Sequence, residues 1–129
     1  MDRAVILEQL SNTFELQDVN KIEMIYFWSL SCKHCKDIFN QLHNQYSDSI
    51  ITIHVPLCEA DRDIDKVNQF IKDQAIKLPV YFDQDHDFFA PFDSIYLPTL
   101  VVLEKEQEEI SKMIYIDEIE EKMKTRLAS

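Results

Sequence analysis

Ile22-Glu23-Met24-Ile25-Tyr26-Phe27-Trp28-Ser29-Leu30-Ser31-Cys32-Lys33-His34-Cys35-Lys36-Asp37-Ile38-Phe39-Asn40-Gln41-Leu42 changes its apolar period midway, and the rest of the chain is organised around that change. Ile22, Met24, Ile25, Tyr26, Phe27 and Trp28 form an apolar run of strand length, rich in β-branched and aromatic side chains, which predicts a buried strand. Ser29 to Ser31 make a short polar connection. From Cys35 the apolar residues Ile38, Phe39 and Leu42 recur three and four apart, as on one face of a helix, here expected to run to about Tyr46. Two cysteines therefore sit where a buried strand hands over to a helix N-terminus. Free N–H groups and the helix dipole favour negative charge there, so a thiol is readily made into a thiolate. The chemistry this predicts is thiol–disulfide exchange.

The 129 residues suit one domain spanning 1–129, with 46% apolar residues and 8 Phe, 5 Tyr and 1 Trp to fill a core. A formal charge of −11 argues against nucleic acid or an anionic membrane surface as partner, because both need clustered Lys and Arg. The 3 cysteines are an odd count, which suits a redox pair and a bystander in a reducing compartment better than a disulfide framework. No stretch reaches the roughly 18 apolar residues of a membrane span. Residues 1–20 carry charges throughout and lack the pattern of a secretory leader, so the expectation is a cytoplasmic protein with no membrane segment; a monomer is expected as well. The chain contains no Gly, so its turns must use Asn, Asp, Ser or Pro.

Outward from the central stretch, Arg3 to Leu10 reads as a weak amphipathic helix interrupted at Ser11-Asn12, with Phe14, Leu16 and Val19 lying on the sheet. Ile50 to Val55 is a second buried strand closed by Pro56, and Leu57 to Arg62 a loop. Ile64, Val67, Phe70, Ile71 and Ala75 keep helical spacing, with Asp61 or Asp63 as N-cap. Pro79 to Phe82 is a short strand, Asp83 to Asp87 a solvated acidic turn, and Phe88, Phe89 and Phe92 a short aromatic helix. Leu100 to Leu103 is a core strand, Glu104 to Glu109 a hairpin tip, and Ile110 to Tyr115 the returning strand. Ile119, Met123 and Leu127 stripe a closing helix. Such an order predicts a mixed α/β sheet covered on both faces.

Phe27-Trp28-Ser29-Leu30-Ser31-Cys32-Lys33-His34-Cys35-Lys36 resembles the Phe-Trp-x-x-x-Cys-x-x-Cys-Lys motif of thioredoxin-like proteins, and Leu97-Pro98-Thr99 resembles the family's cis-proline before a core strand. The strand–helix–strand passage between Cys35 and Pro98 is longer than a minimal thioredoxin carries and is similar to the TlpA/ResA-type thiol–disulfide oxidoreductases of bacteria. The resemblance covers roughly residues 14–127 and implies a thioredoxin fold with an extra strand–helix insertion before a cis Pro98 that faces the cysteines. Three positions depart from the family pattern. Tyr26 stands where thioredoxin has a buried Asp, Ile38 where ResA-type proteins often have Glu, and Asn40 where the helix usually carries a kinking proline.

Cys32, one step outside the helix, is expected to attack a substrate disulfide, and Cys35, one turn on, to resolve the mixed disulfide. Lys33 and His34 would stabilise the Cys32 thiolate and make the disulfide more oxidising, a potential between about −270 and about −120 mV and nearer the first. Asp37 is a candidate proton shuttle for Cys35, or a favourable charge in the first turn. Leu97, Pro98 and Thr99 would position an extended substrate by strand addition, with Trp28 either shaping the surface beside Cys32 or serving only the core. No metal or organic cofactor is expected beyond the Cys32–Cys35 disulfide. Zinc wants four ligands, and His34, His43, His54 and Cys58 would have to assemble by accident of fold. Cys58 reads as a passive small hydrophobe. The predicted function is dithiol–disulfide exchange on protein substrates, in the reducing direction, fed by an upstream dithiol protein or small thiol. The alternatives are a binding or chaperone module with incidental cysteines and, more weakly, a peroxide-reducing thiol enzyme.

Overall fold

The computed structural model describes residues 1–42 and 46–127. Five strands form one sheet in the order β3-β2-β1-β4-β5: β1 Met24–Trp28, β2 Ile50–His54, β3 Val80–Phe82, β4 Thr99–Val102 and β5 Ser111–Met113. β1 runs parallel to β2, with Trp28 opposite His54, and β2 runs parallel to β3. β4 is antiparallel to both β1 and β5. Every residue of β1, β2 and β4 is buried, which is why their sequences are mostly apolar without alternation, with Thr52, His54 and Thr99 as buried polar exceptions. The mixed sheet expected from the sequence is present.

Helix α2 (Lys33–Gln41) crosses from β1 to β2 and α3 (Ile64–Asp73) from β2 to β3, stepping the same way across the sheet. Right-handed crossovers in one direction must lie on one face. There Cys35, Ile38, Phe39 and Val67 pack with Tyr26, Trp28 and with Ile119 and Met123 of α4 (Ile116–Leu127). The opposite face is covered by α1 (Arg3–Phe14), through Ile6, Leu7 and Leu10, and by Phe88, Phe89 and Phe92 around Phe27.

Several expected boundaries shift. α1 continues through Ser11-Asn12 to Phe14, because Phe14 keeps the spacing from Leu10 and its ring packs on Tyr81 and Phe88. The segment at Leu57 to Arg62 includes a short 3-10 turn, Glu59–Arg62. Asp63, not Asp61, caps α3, accepting from the Asp65 and Lys66 N–H groups. The aromatic segment is a turn with a 3-10 helix at Ala90–Phe92. The acidic run before it is not wholly solvated: Asp83 is buried and accepts the N–H groups of Phe88 and Phe89. The expected end of α2 near Tyr46 crosses residues 43–45, which lie outside the described residues. Without glycine, the left-handed turn positions fall to Glu15, Asp18, Ala75, His86 and Asp93, with φ between 51 and 63°.

Candidate functional site

The two cysteines lie where β1 ends and α2 begins, as the change of period predicts. Cys32 is the N-cap of α2, with extended backbone, and its Sγ accepts the Cys35 N–H at 3.2 Å. A sulfur in that position takes the place of a capping oxygen and meets an orphan donor of the first turn. The pair is joined as a disulfide with Cα atoms 5.3 Å apart. Cys35 is fully buried while Cys32 is partly exposed, the asymmetry that separates an attacking from a resolving sulfur. The Leu97–Pro98 peptide is cis, and the Leu97 carbonyl oxygen lies 3.6 Å from Cys32 Sγ. In the dithiol state the Cys32 thiol can donate to that oxygen.

The remaining residues singled out in the sequence divide. Lys33 and His34 are both exposed, on the first turn of α2 beside Cys32. Asp37 is the fifth residue of α2 and exposed, so it stands beyond the first turn, where the charge–dipole benefit falls off. Trp28 is 0% exposed and therefore cannot shape a docking surface. Its indole N–H donates to Thr52 Oγ1 at 3.2 Å and its ring meets Phe39 and His54 edge-on, so of the two readings the structure has the core role and not the surface one. Thr99 is also 0% exposed; its hydroxyl donates to the Tyr96 carbonyl at 2.6 Å and pairs with Ser94 Oγ at 2.8 Å. It shapes the loop before Pro98 from below rather than meeting a substrate with its side chain. That loop exposes two apolar side chains the sequence reading passes over, Ile95 at 85% and Tyr96 at 57%. Among the described residues no group of three or more His, Cys, Asp or Glu is placed to hold a metal ion, and His43 lies outside them.

Three further groups bear on the site. Tyr26, in the place of the family's buried Asp, donates its hydroxyl to the Cys35 carbonyl at 2.8 Å. Burial pushes its phenol well above the usual range, so it remains a donor and does not take a proton from Cys35. His54, at the end of β2, accepts the Leu30 N–H on Nε2 at 3.0 Å, which assigns the hydrogen to Nδ1; Nδ1 is buried with no partner among the described residues. Burial lowers its pKa to about 4 against the opposing pull of Asp61. Asp61 is itself 3% exposed, and its Oδ2 accepts from Ser29 Oγ at 2.7 Å, Ser31 Oγ at 2.6 Å and the Leu57 N–H at 2.9 Å. Burial pushes that carboxyl up, but hydrogen bonds from Ser31, Leu57, Ser29 and Cys58 outweigh it and hold the pKa below the ordinary value. The available signal for Asp61 is the pair of serines in a buried junction, each needing a partner.

A strand-to-helix junction with a Cys-x-x-Cys pair facing a cis-proline loop defines a thioredoxin-type redox site, and the chain belongs to the thioredoxin-like family, whose model matches residues 20–110. Particular relatives are named for this chemistry. The chain is 31% identical over 90 residues to the thiol-disulfide oxidoreductase YkuV of Bacillus subtilis (strain 168), across 66% of this chain and 61% of that protein. It is 25% identical over 114 residues to a thiol-disulfide oxidoreductase ResA of Bacillus cereus, across 85% of this chain and 65% of the relative. The chain thus spans less than two thirds of the length of either. The crystal structure of StoA from Bacillus subtilis shares the fold, with a TM-score of 0.57 and 24% identity over 76% of this chain and 78% of that one.

Proposed function

We propose that the chain is a thiol–disulfide oxidoreductase that reduces disulfides in protein substrates. The observation that carries this reading is Cys32 at the N-cap of α2, its Sγ accepting the Cys35 N–H and lying 3.6 Å from the Leu97 carbonyl. A thiolate at Cys32 would inherit that N–H donor and the positive end of the helix dipole. The TlpA/ResA-type relatives and the family membership support the same chemistry.

In the reducing direction, the Cys32 thiolate attacks one sulfur of a substrate disulfide. A Cys32–substrate bond forms as the substrate S–S bond breaks, and the departing sulfur leaves as thiolate to take up a proton. Cys35 then loses its proton and attacks Cys32 Sγ. The Cys32–Cys35 disulfide forms, the second substrate sulfur leaves, and two electrons have passed to the substrate. An upstream dithiol protein or small thiol returns the pair to the dithiol. The exposed Ile95 and Tyr96 beside Leu97 offer an apolar approach to Cys32, and the Leu97 backbone offers strand-like hydrogen bonds to an extended segment. The free, exposed Cys58 fits work in a reducing compartment such as the cytoplasm.

Cys35→Ser tests the reading. With a disulfide-bonded test protein it is expected to accumulate a covalent adduct at Cys32, visible on a non-reducing gel and released by dithiothreitol, while Cys32→Ser gives neither adduct nor turnover. Binding of the test protein by Cys32→Ser at the wild-type level, with no turnover by the wild type, would instead make this a binding module.

A further inference from the structure

Asp61 is a buried carboxylate that none of the described ion pairs includes. Such a group is costly unless hydrogen bonds satisfy it, and four donors converge on it: two serine hydroxyls, the Leu57 N–H and the Cys58 thiol. The serines are Ser29 and Ser31, the first and last residues of the connection between β1 and Cys32. The other two donors belong to the loop after β2. Parallel pairing of β1 and β2, with Trp28 opposite His54, brings these two loops together at the carboxyl ends of these two interior strands. Beside them His54 takes the N–H of Leu30, the remaining residue of the connection, on a ring that burial keeps neutral at pH 7. All three residues that lead into Cys32 are therefore held by side chains delivered from β2 and its following loop. The only charge in that set is the Asp61 carboxylate, and Ser31, 2.6 Å from it, immediately precedes the nucleophile.

We propose that Asp61 is a positioning residue for the exchange reaction, clamping the Ser29–Ser31 connection so that Cys32 keeps its N-cap geometry, and setting with its negative charge how readily the Cys32 thiolate forms. The two roles act in opposite directions. The clamp keeps Cys32 Sγ on the Cys35 N–H, which favours the thiolate. The charge disfavours it, which favours the disulfide and makes the dithiol a stronger reductant. This inference rests on the redox reading above, and assigns to one buried carboxylate the balance that the family's motif leaves to residues beside the cysteines.

Asp61→Asn removes the charge and keeps a carbonyl oxygen for the serines; Ser31→Ala removes one clamp bond and keeps the charge. In each, the Cys32 thiolate absorbance is titrated, and the pair is equilibrated with glutathione. Asp61→Asn is expected to lower the Cys32 pKa by about half a unit or more and to move the glutathione equilibrium about threefold toward the dithiol. Ser31→Ala is expected to leave the Cys32 pKa at or above the wild-type value and to slow attack on a test disulfide several-fold. A change in unfolding midpoint with thiolate titration and glutathione equilibrium identical to wild type in both variants would reduce Asp61 to a structural anchor and overturn the proposal. If Asp61→Asn does not fold, Ser31→Ala decides: an attack rate equal to wild type refutes the clamp. A wild-type protein that forms no disulfide at any glutathione poise would instead refute the redox reading itself, so the two failures are distinct.

Discussion

Acidification tests the buried imidazole beneath the active-site connection. His54 in the folded protein has a pKa of about 4 against 6.5 for the free side chain, lowered by burial. As pH falls below 6.5 the unfolded chain takes a proton that the folded chain refuses until about pH 4, so stability is present above 6.5 and is lost progressively across that window. At 1.36 kcal/mol per unit, a difference of about 2.5 units costs about 3 kcal/mol in full, of which about 2 kcal/mol falls between pH 6.5 and pH 5. That is a large part of the 5–15 kcal/mol that typically holds a domain of this size together. Asp61, whose pKa is lowered from 3.8, contributes stability that is present above 3.8 and lost only as pH falls further, outside the His54 window. Urea unfolding of the oxidised protein at about pH 7 and about pH 5 measures the loss. His54→Gln keeps an acceptor for the Leu30 N–H and does not titrate, so it is expected to flatten the slope between those two points. Parallel losses in wild type and His54→Gln, or no loss in the wild type, would refute the assignment of a neutral His54 as the group that resists acid.

Tyr26→Phe removes a buried hydroxyl bonded to the Cys35 carbonyl and is expected to cost about 1 kcal/mol, read as a lower urea midpoint at unchanged slope. Ala75→Gly relieves a left-handed residue at φ 51°, where the alanine Cβ costs about 1–2 kcal/mol and glycine's extra freedom takes back about 0.5–1 kcal/mol. It is expected to stabilise by about 0.5–1 kcal/mol, and a loss of stability in the same urea experiment would contradict it. Lys33→Glu reverses an exposed charge beside Cys32 and is expected to raise the thiolate pKa by a few tenths of a unit at low salt; the effect should fade near 1 M salt, where screening acts within about 3 Å.

How far the chain can be read in advance follows from how local each signal is. The change from a continuous apolar run to helical spacing at Ser29–Ser31 is local, and it locates β1, α2 and the cysteine junction together. Two parallel crossovers stepping one way across the sheet then fix which face carries α2 and α3. Local propensity stops α1 early because Ser11 and Asn12 are weak helix formers, whereas Leu10 and Phe14 bury enough surface to carry the helix past them. Thr99 and Trp28 flank the motif in sequence, which suggests a place at the substrate surface. A strand residue points to one face only, and both side chains turn into the core. Asp61 reads in sequence as a possible helix cap because its true partners, Ser29 and Ser31, lie 32 and 30 residues away. Only the parallel pairing of β1 with β2 brings them into contact, and no local period records that.

The most direct test is the reduction potential of the Cys32–Cys35 pair, equilibrated against glutathione with the thiolate absorbance titrated on the same sample. A cation-flanked thiol at a helix N-cap, working in the reducing direction proposed above, predicts a value between about −270 and about −120 mV and nearer the first. A value above about −180 mV would contradict the reducing direction, and a pair that forms no disulfide at any poise would contradict the chemistry altogether.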